Sequence, residues 1–174
     1  MPKIIALCGK ICSGKTFYAN KIKERENAVI LSTDEVTFYL MDNEQGERYD
    51  DFAKRVNEYL MKKAIDIVRA GANVILDWGF WSKKERINLT NYYKKYNIPV
   101  EWHYVDVTQE KWQDLIKKRN ELIVSGQGEY SFYFDDGLKK KLLDSFNEPS
   151  KEEDMWGIWL ITGLTWLAMA VFTI

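Results

Sequence analysis

Five side chains in this sequence could together handle a phosphoryl group: Lys15, Thr16, Asp34, Asp77 and Arg119. The first two close the octet Gly9-Lys10-Ile11-Cys12-Ser13-Gly14-Lys15-Thr16, which meets G-x-x-x-x-G-K-[ST] at every specified position. Gly9 and Gly14 let the backbone turn so that successive N–H groups face one point, and a helix starting there adds partial positive charge. Lys15 can then reach the β- and γ-phosphates of a bound nucleotide, and the Thr16 hydroxyl can ligate Mg²⁺. Asp77 ends an apolar run, where a carboxylate can hold the same ion opposite Thr16. Asp34 follows a second apolar run. It could accept the proton of a substrate hydroxyl during phosphoryl transfer, or else it or Thr33 only caps the next helix. Arg119, within Lys117-Lys118-Arg119-Asn120, could neutralise charge on the transferring group, or be a solvated helix end that favours the macrodipole. Arg55 and Arg86 are further candidates for substrate contact, with a solvated or ion-paired helix face as the plainer role of each.

These residues need a scaffold that brings distant positions together, and the hydrophobic pattern supplies one. Ile4–Cys8, Ala28–Leu31, Val74–Asp77 and Val100–Val107 are short apolar runs that predict buried strands. Phe17, Tyr18 and Ile22 follow the octet at helical spacing. Phe52, Val56, Tyr59, Leu60, Ala64, Ile67 and Val68 give a long helix one apolar face, which Gly71 ends. Ser82 caps a helix running to about Tyr96, stopped by Asn97 and Pro99. Thr108 caps another, with Trp112, Leu115 and Ile116 as its stripe. Strands alternating with helices predict a parallel sheet covered on both faces. Ligands bind such sheets outside the carboxyl ends of the strands, where the octet, Asp34 and Asp77 all fall.

Composition narrows the partners. With 25 basic and 26 acidic residues, a net charge of −1 and a pI near 6.0, the 174-residue chain lacks the basic excess of a general nucleic-acid binder. Cys8 and Cys12 are the two cysteines, with no second Cys or His cluster to complete a metal site, so a reduced cytoplasmic pair is expected. His103, the single histidine, alternates with Trp102 and Tyr104 and reads as structural. Ser125-Gly126-Gln127-Gly128-Glu129 followed by Tyr130–Phe134 reads either as a mobile lid or as a loop with its aromatics in the core.

Taken together, Gly9–Thr16, Ser32-Thr33-Asp34, Val74–Asp77, Lys118-Arg119-Asn120 and Phe146-Asn147-Glu148-Pro149 resemble the small P-loop kinase-like ATP-binding proteins of the AAA family. Chloramphenicol phosphotransferase, the zeta toxins and the kinase domain of polynucleotide kinase are of this kind. The resemblance covers roughly residues 1–150. It implies a three-layer α/β fold with a parallel sheet and a small lid, and ATP with Mg²⁺ as cofactors. It further implies Asp34 as general base, Arg119 on the ATP phosphates, and the Phe146–Pro149 segment leading towards the adenine and a last strand. The expected activity is transfer of the ATP γ-phosphate to a hydroxyl of a small molecule or nucleotide. An ATPase or nucleotide-dependent switch, and a zeta-like toxin acting on a nucleotide sugar, are the alternatives.

The chain departs from that pattern at its end. Residues 1–154 read as the kinase-like domain, and 155–174 as a tail without a single charge. Met155–Leu160 can supply the last strand, with the remainder packed on the core or forming an extension. Its length of 20 residues also suffices to cross a bilayer as a helix. Lys151 is followed by Glu152, Glu153 and Asp154 rather than a basic cluster, so a cytoplasmic protein is expected ahead of a membrane-anchored one.

Overall fold

The structure is a computed structural model that describes residues 1–41, 49–126, 133–150, 153 and 159–160. Strand β1, Ile4–Cys8, is apolar throughout, and all five residues are enclosed, as a strand covered on both faces requires. Successive side chains point to opposite faces. Ile4, Ala6 and Cys8 join one core cluster with residues of the later helices, while Ile5 and Leu7 pack on Ala19 and Ile22 of α1, Lys15–Ile22. Burying each such isoleucine or leucine contributes about 1.5–3 kcal/mol. The first strand thereby fixes the loop that follows it.

The remaining elements alternate. They are β2 (Ala28–Ser32), α2 (Thr33–Met41), α3 (Tyr49–Arg69), β3 (Asn73–Asp77), α4 (Lys83–Lys94), β4 (Val100–Tyr104), α5 (Gln109–Val124), α6 (Asp136–Asp144) and β5 (Trp159–Leu160). All strand pairs are parallel and the sheet order is β2-β3-β1-β4-β5. After β1 the chain builds towards one edge through β3 and β2, then crosses to β4 on the other side. The carboxyl end of β1 therefore lies at the point where strand order reverses. Register aligns the strand ends there: Ser32 is level with Asp77, and Cys8 with Tyr104.

Local chemistry sets the element ends as the sequence leads one to expect. Ser82 and Glu85 form a reciprocal capping box at the start of α4, and the Thr108 hydroxyl accepts from Lys111 N–H at the start of α5. Gly71 and Asn97 adopt left-handed backbone angles, φ 99° and 58°, where two helices stop. Four details differ from the sequence reading. β2 is an edge strand paired with β3, so it is only partly covered and Val29 is 43% exposed. Phe17 and Tyr59 face outwards, and Ala19 and Ile65 take the buried positions on their helices. β4 is regular only to Tyr104. Finally, α6 follows a segment read only as lid and linker, started by the Asp135 side chain accepting from Leu138 N–H.

Of the uncharged tail, Trp159 and Leu160 form β5 beside His103 and Tyr104 of β4, inside the stretch expected to supply a last strand. Residues 161–174 lie outside the described residues. Among the described residues no helix is long and apolar enough to cross a membrane. Residues 127–132, the centre of the expected lid, also lie outside them; of its aromatics, Phe134 is buried against Val107, Trp112 and Ile116.

His103 is structural, as read. Its Nδ1 shares a hydrogen bond of 2.9 Å with the Tyr18 hydroxyl, and its Nε2 one of 2.6 Å with Glu101, which also pairs with Lys3. Burial pulls the imidazole below its ordinary pKa, against the pull of Glu101.

Candidate phosphate-binding site

The octet forms the loop between β1 and α1. Gly9 is needed for space: a Cβ there would meet the Val105 carbonyl oxygen at 2.5 Å and Ser13 Oγ at 2.7 Å. Gly14 takes φ 91° immediately before α1, a conformation that glycine adopts without strain. Cys12 also sits at positive φ, 58°. Trp112 of α5, read as part of an apolar stripe, does more than pack. Its indole N–H donates to the Ile11 carbonyl at 2.7 Å and braces the crest of the loop.

Inside the loop, Lys15 Nζ donates to the carbonyls of Gly9 at 3.0 Å and Lys10 at 2.9 Å. Burial pulls its ammonium below the usual lysine pKa; Asp77 is the largest opposing influence, followed by Cys8, Cys12 and Asp34. A half-buried cation whose hydrogen-bond partners among the described residues are carbonyls is a site for an anion. Ser13 Oγ points the same way, since the residue is fully buried and its hydroxyl has no partner among the described residues. The cradle, the cation and the orphaned hydroxyl fit a nucleotide phosphate.

Asp77 ends β3 as a buried carboxylate. Burial raises its pKa, the Thr16 hydroxyl that donates to it lowers it, and Lys15 also lowers it, while Asp34 and Glu35 press it upwards. Five residues from three separate stretches of the chain thus share one electrostatic neighbourhood. Thr16 and Asp77 offer a hydroxyl and a carboxylate, hard oxygen donors of the kind that Mg²⁺ takes alongside phosphate and water. Among the described residues no cluster of three or more His, Cys, Asp or Glu could hold a metal. The donor set therefore fits an ion shared with phosphate rather than one caged by protein.

Asp34 starts α2 beside this centre, and the structure relieves it of the capping role. Ser32 Oγ accepts the Glu35 N–H at 3.3 Å, and the Thr33 hydroxyl is spent on Asn57 Oδ1 of α3. The Asp34 carboxylate opens at the rim of the crevice. Surrounding protein raises its pKa, and the charges of Arg119 and Lys15 lower it. Glu35 went unnoticed in the sequence because it looks like a first-turn acid. Only the level alignment of β2 with β3 puts it near Asp77.

Arg119 comes in from α5. One guanidinium nitrogen lies 3.3 Å from Cys12 Sγ, the group lies over the Phe134 ring at 4.8 Å, and Nε is buried without a partner among the described residues. Asn120 beside it exchanges two bonds of 2.9 Å with the backbone of Phe134, which holds that ring in place. Arg119 is thus steered towards the loop by one aromatic face and one thiol, with donor capacity to spare.

The other two arginines differ. Arg55 is exposed on α3. Arg86, considered as a substrate contact, is fully buried and committed elsewhere. Glu153 takes two of its nitrogens at 2.9 and 2.7 Å, and a third donates to the carbonyls of Phe80, Trp81 and Asn147. The ion-paired reading of Arg86 is the correct one, and the reason is that no donor or surface is left for a substrate.

A groove of about 750 Å³ runs between α5, Tyr133 and α6, lined by Trp112, Ile116, Lys117 and Lys139 among others. None of residues 9–16 lines it, so it is not the phosphate site.

Comparison with known proteins agrees with this geometry. The model of the AAA domain family matches residues 4–125, and the chain belongs to that family. No curated protein matches. Among solved structures, a chain from Chloroflexus aurantiacus superposes with a TM-score of 0.70 at 14% identity, covering 98% of this chain and 96% of that one. Kti12 from Chaetomium thermophilum, in complex with ADP-AlF3, gives 0.68 at 16%, covering 92% and 89%. A sugar kinase from Janibacter gives 0.61 at 15%, covering 98% and 96%. At these identities the likeness establishes the fold: a parallel α/β sheet of the P-loop kinase type.

Proposed function

We propose, with membership of the AAA domain family as the premise, that this protein transfers the γ-phosphate of ATP to a hydroxyl of a small molecule or nucleotide. The observation that carries the reading is the grouping of Asp34 with Lys15, Asp77 and Arg119 at one end of the sheet. A site that only held a nucleotide would need the loop; it would have no use for a second carboxylate freed from capping and faced by an arginine.

Each residue then has a task. The loop amides and Lys15 hold the phosphates, with Lys15 exchanging its two carbonyl bonds for phosphate oxygens. Thr16 and Asp77 would hold Mg²⁺, which supplies charge neutralisation between the β- and γ-phosphates when bound. Asp34 accepts the proton of the acceptor hydroxyl as its oxygen attacks phosphorus and the bond from phosphorus to the β-phosphate oxygen breaks to release ADP. A pKa raised by the surrounding protein suits that role. Arg119 offsets negative charge on the phosphoryl group in transit. Arg55, exposed on α3, is kept as an acceptor contact. We read residues 1–154 as the catalytic domain and its setting as cytoplasmic, which suits two free cysteines.

A screen of hydroxyl acceptors with γ-labelled ATP tests the proposal, run on the wild type and Lys15→Ala in parallel. Label should pass to at least one acceptor class with the wild type, and fall by at least a hundredfold with Lys15→Ala. ATP binding without transfer to any acceptor would favour a nucleotide-dependent switch instead.

A further inference from the structure

The helix that carries Asp34 is not held in the usual way. The two residues that α2 buries are threonines, Thr33 and Thr37, while its Tyr39 and Leu40 are exposed and Val36, Phe38 and Met41 only half-buried. A helix of nine residues with so little enclosed apolar surface gains little from hydrophobic burial. Polar bonds therefore carry more of its placement than they do elsewhere in the sheet's covering layers.

Thr37 Oγ1 donates to the carbonyls of Thr33 at 2.9 Å and Asp34 at 3.0 Å, and Ser32 Oγ accepts the Glu35 N–H at 3.3 Å. These bonds lie within the helix and its cap, so they stiffen the first turn without fixing it against the rest of the molecule. Among the described residues, the side-chain hydrogen bond that leaves this turn for another helix runs from Thr33 Oγ1 to Asn57 Oδ1 of α3. Asn57 is a firm anchor. It stands between the enclosed Val56 and Leu60, on a 21-residue helix whose Ala64, Ile65 and Val68 join the main core cluster. Thr33 is buried, so losing Asn57 would leave its hydroxyl unpaired.

From this arrangement we infer that Asn57 is a positioning residue for phosphoryl transfer: it takes the Thr33 hydroxyl and so sets the turn from which Asp34 presents its carboxylate. The inference rests on the phosphotransferase reading, with Asp34 as base, and adds the residue that aims it. The step served is the one given above, in which the acceptor hydroxyl loses its proton to Asp34 as its oxygen bonds to phosphorus and ADP leaves. Aim matters there, because a general base must stand within hydrogen-bond reach of the proton it takes. A displacement of about 1 Å at a reacting group can cost about a hundredfold in rate.

The experiment uses the full chain and γ-labelled ATP with a panel of monosaccharides, cyclitols, nucleosides and glycerol, the fastest acceptor being carried forward. Thr33→Val keeps the shape and deletes the hydroxyl, and Asn57→Ala removes its partner from the half-buried side. Each should lower kcat by roughly 10- to 100-fold, with the KM for ATP unchanged. Made together they should cost no more than either alone, and Thr33→Ser, which keeps the hydroxyl, should restore transfer. The decisive arm repeats Thr33→Val on Asp34→Asn, where no further loss of single-turnover transfer is expected because no base is left to aim. Wild-type kcat in both Thr33→Val and Asn57→Ala, or an equal fractional loss with and without Asp34, would overturn the inference and leave the kinase reading standing. ATP binding without transfer to any member of the panel would overturn both.

Discussion

Two arginines on successive helices, Arg86 and Arg119, show how differently the same side chain is used. Arg86 of α4 has a carboxylate and three carbonyls around it, and both it and Glu153 are sealed from water. Arg119 of α5 is half-buried, with a thiol, an aromatic face and an Nε that has no partner among the described residues. The first has all its donors spent inside the protein. The second has been brought to the phosphate loop with its bonds unmade. Satisfied charge reads as architecture, and unsatisfied charge beside an anion cradle reads as a site awaiting its ligand.

The sharpest way to break this comparison is to remove one partner from the satisfied pair. Glu153→Ala leaves the Arg86 guanidinium buried and unpaired, which should cost about 3–5 kcal/mol of stability. At roughly 2–4 °C per kcal/mol for a domain of this size, thermal denaturation should show a large fall in melting temperature. A fall of a degree or less would mean that the pair is not the clamp described. Arg119→Gln should do the opposite. Transfer should drop by roughly a thousandfold, as loss of an arginine on the transferring phosphoryl group does, while the melting temperature barely moves.

The same Arg119 variant sharpens the comparison through pH. The surrounding protein raises the Asp34 pKa, and Arg119 is the first charge holding it down. A general base works ionised, so activity is lost as pH falls through that pKa, and the wild-type acid limb should lie above the ordinary carboxylate value. Removing Arg119 removes a lowering influence, so the limb of the residual activity should shift to higher pH. A shift to lower pH would separate the two residues.

Much of this was legible in the chain. The octet marked the loop, and short apolar runs ending in Asp77 and near Asp34 put both carboxylates at the carboxyl end of a parallel sheet. The two arginines could not be told apart, because helical periodicity gives a residue's face and says nothing of its partner. Glu153 is 67 residues from Arg86 in sequence, in an acidic stretch that looks like solvated surface. Phe134 and Cys12 approach Arg119 from a loop and from the octet, and no local pattern links them. Glu35 was missed for the same reason: a first-turn acid is ordinary locally, and only strand register gives it meaning. The edge position of β2 likewise depends on sheet order, which four similar apolar runs do not encode.

The central claim is that the carboxylate beside the phosphate loop serves phosphoryl transfer rather than the helix it starts. Asp34→Asn keeps the size and deletes the base, so single-turnover transfer from γ-labelled ATP, measured beside ATP affinity, tests it directly. The account predicts transfer reduced by about 10²–10⁴-fold with ATP affinity within a factor of a few of the wild type. Transfer at the wild-type rate in Asp34→Asn would contradict it.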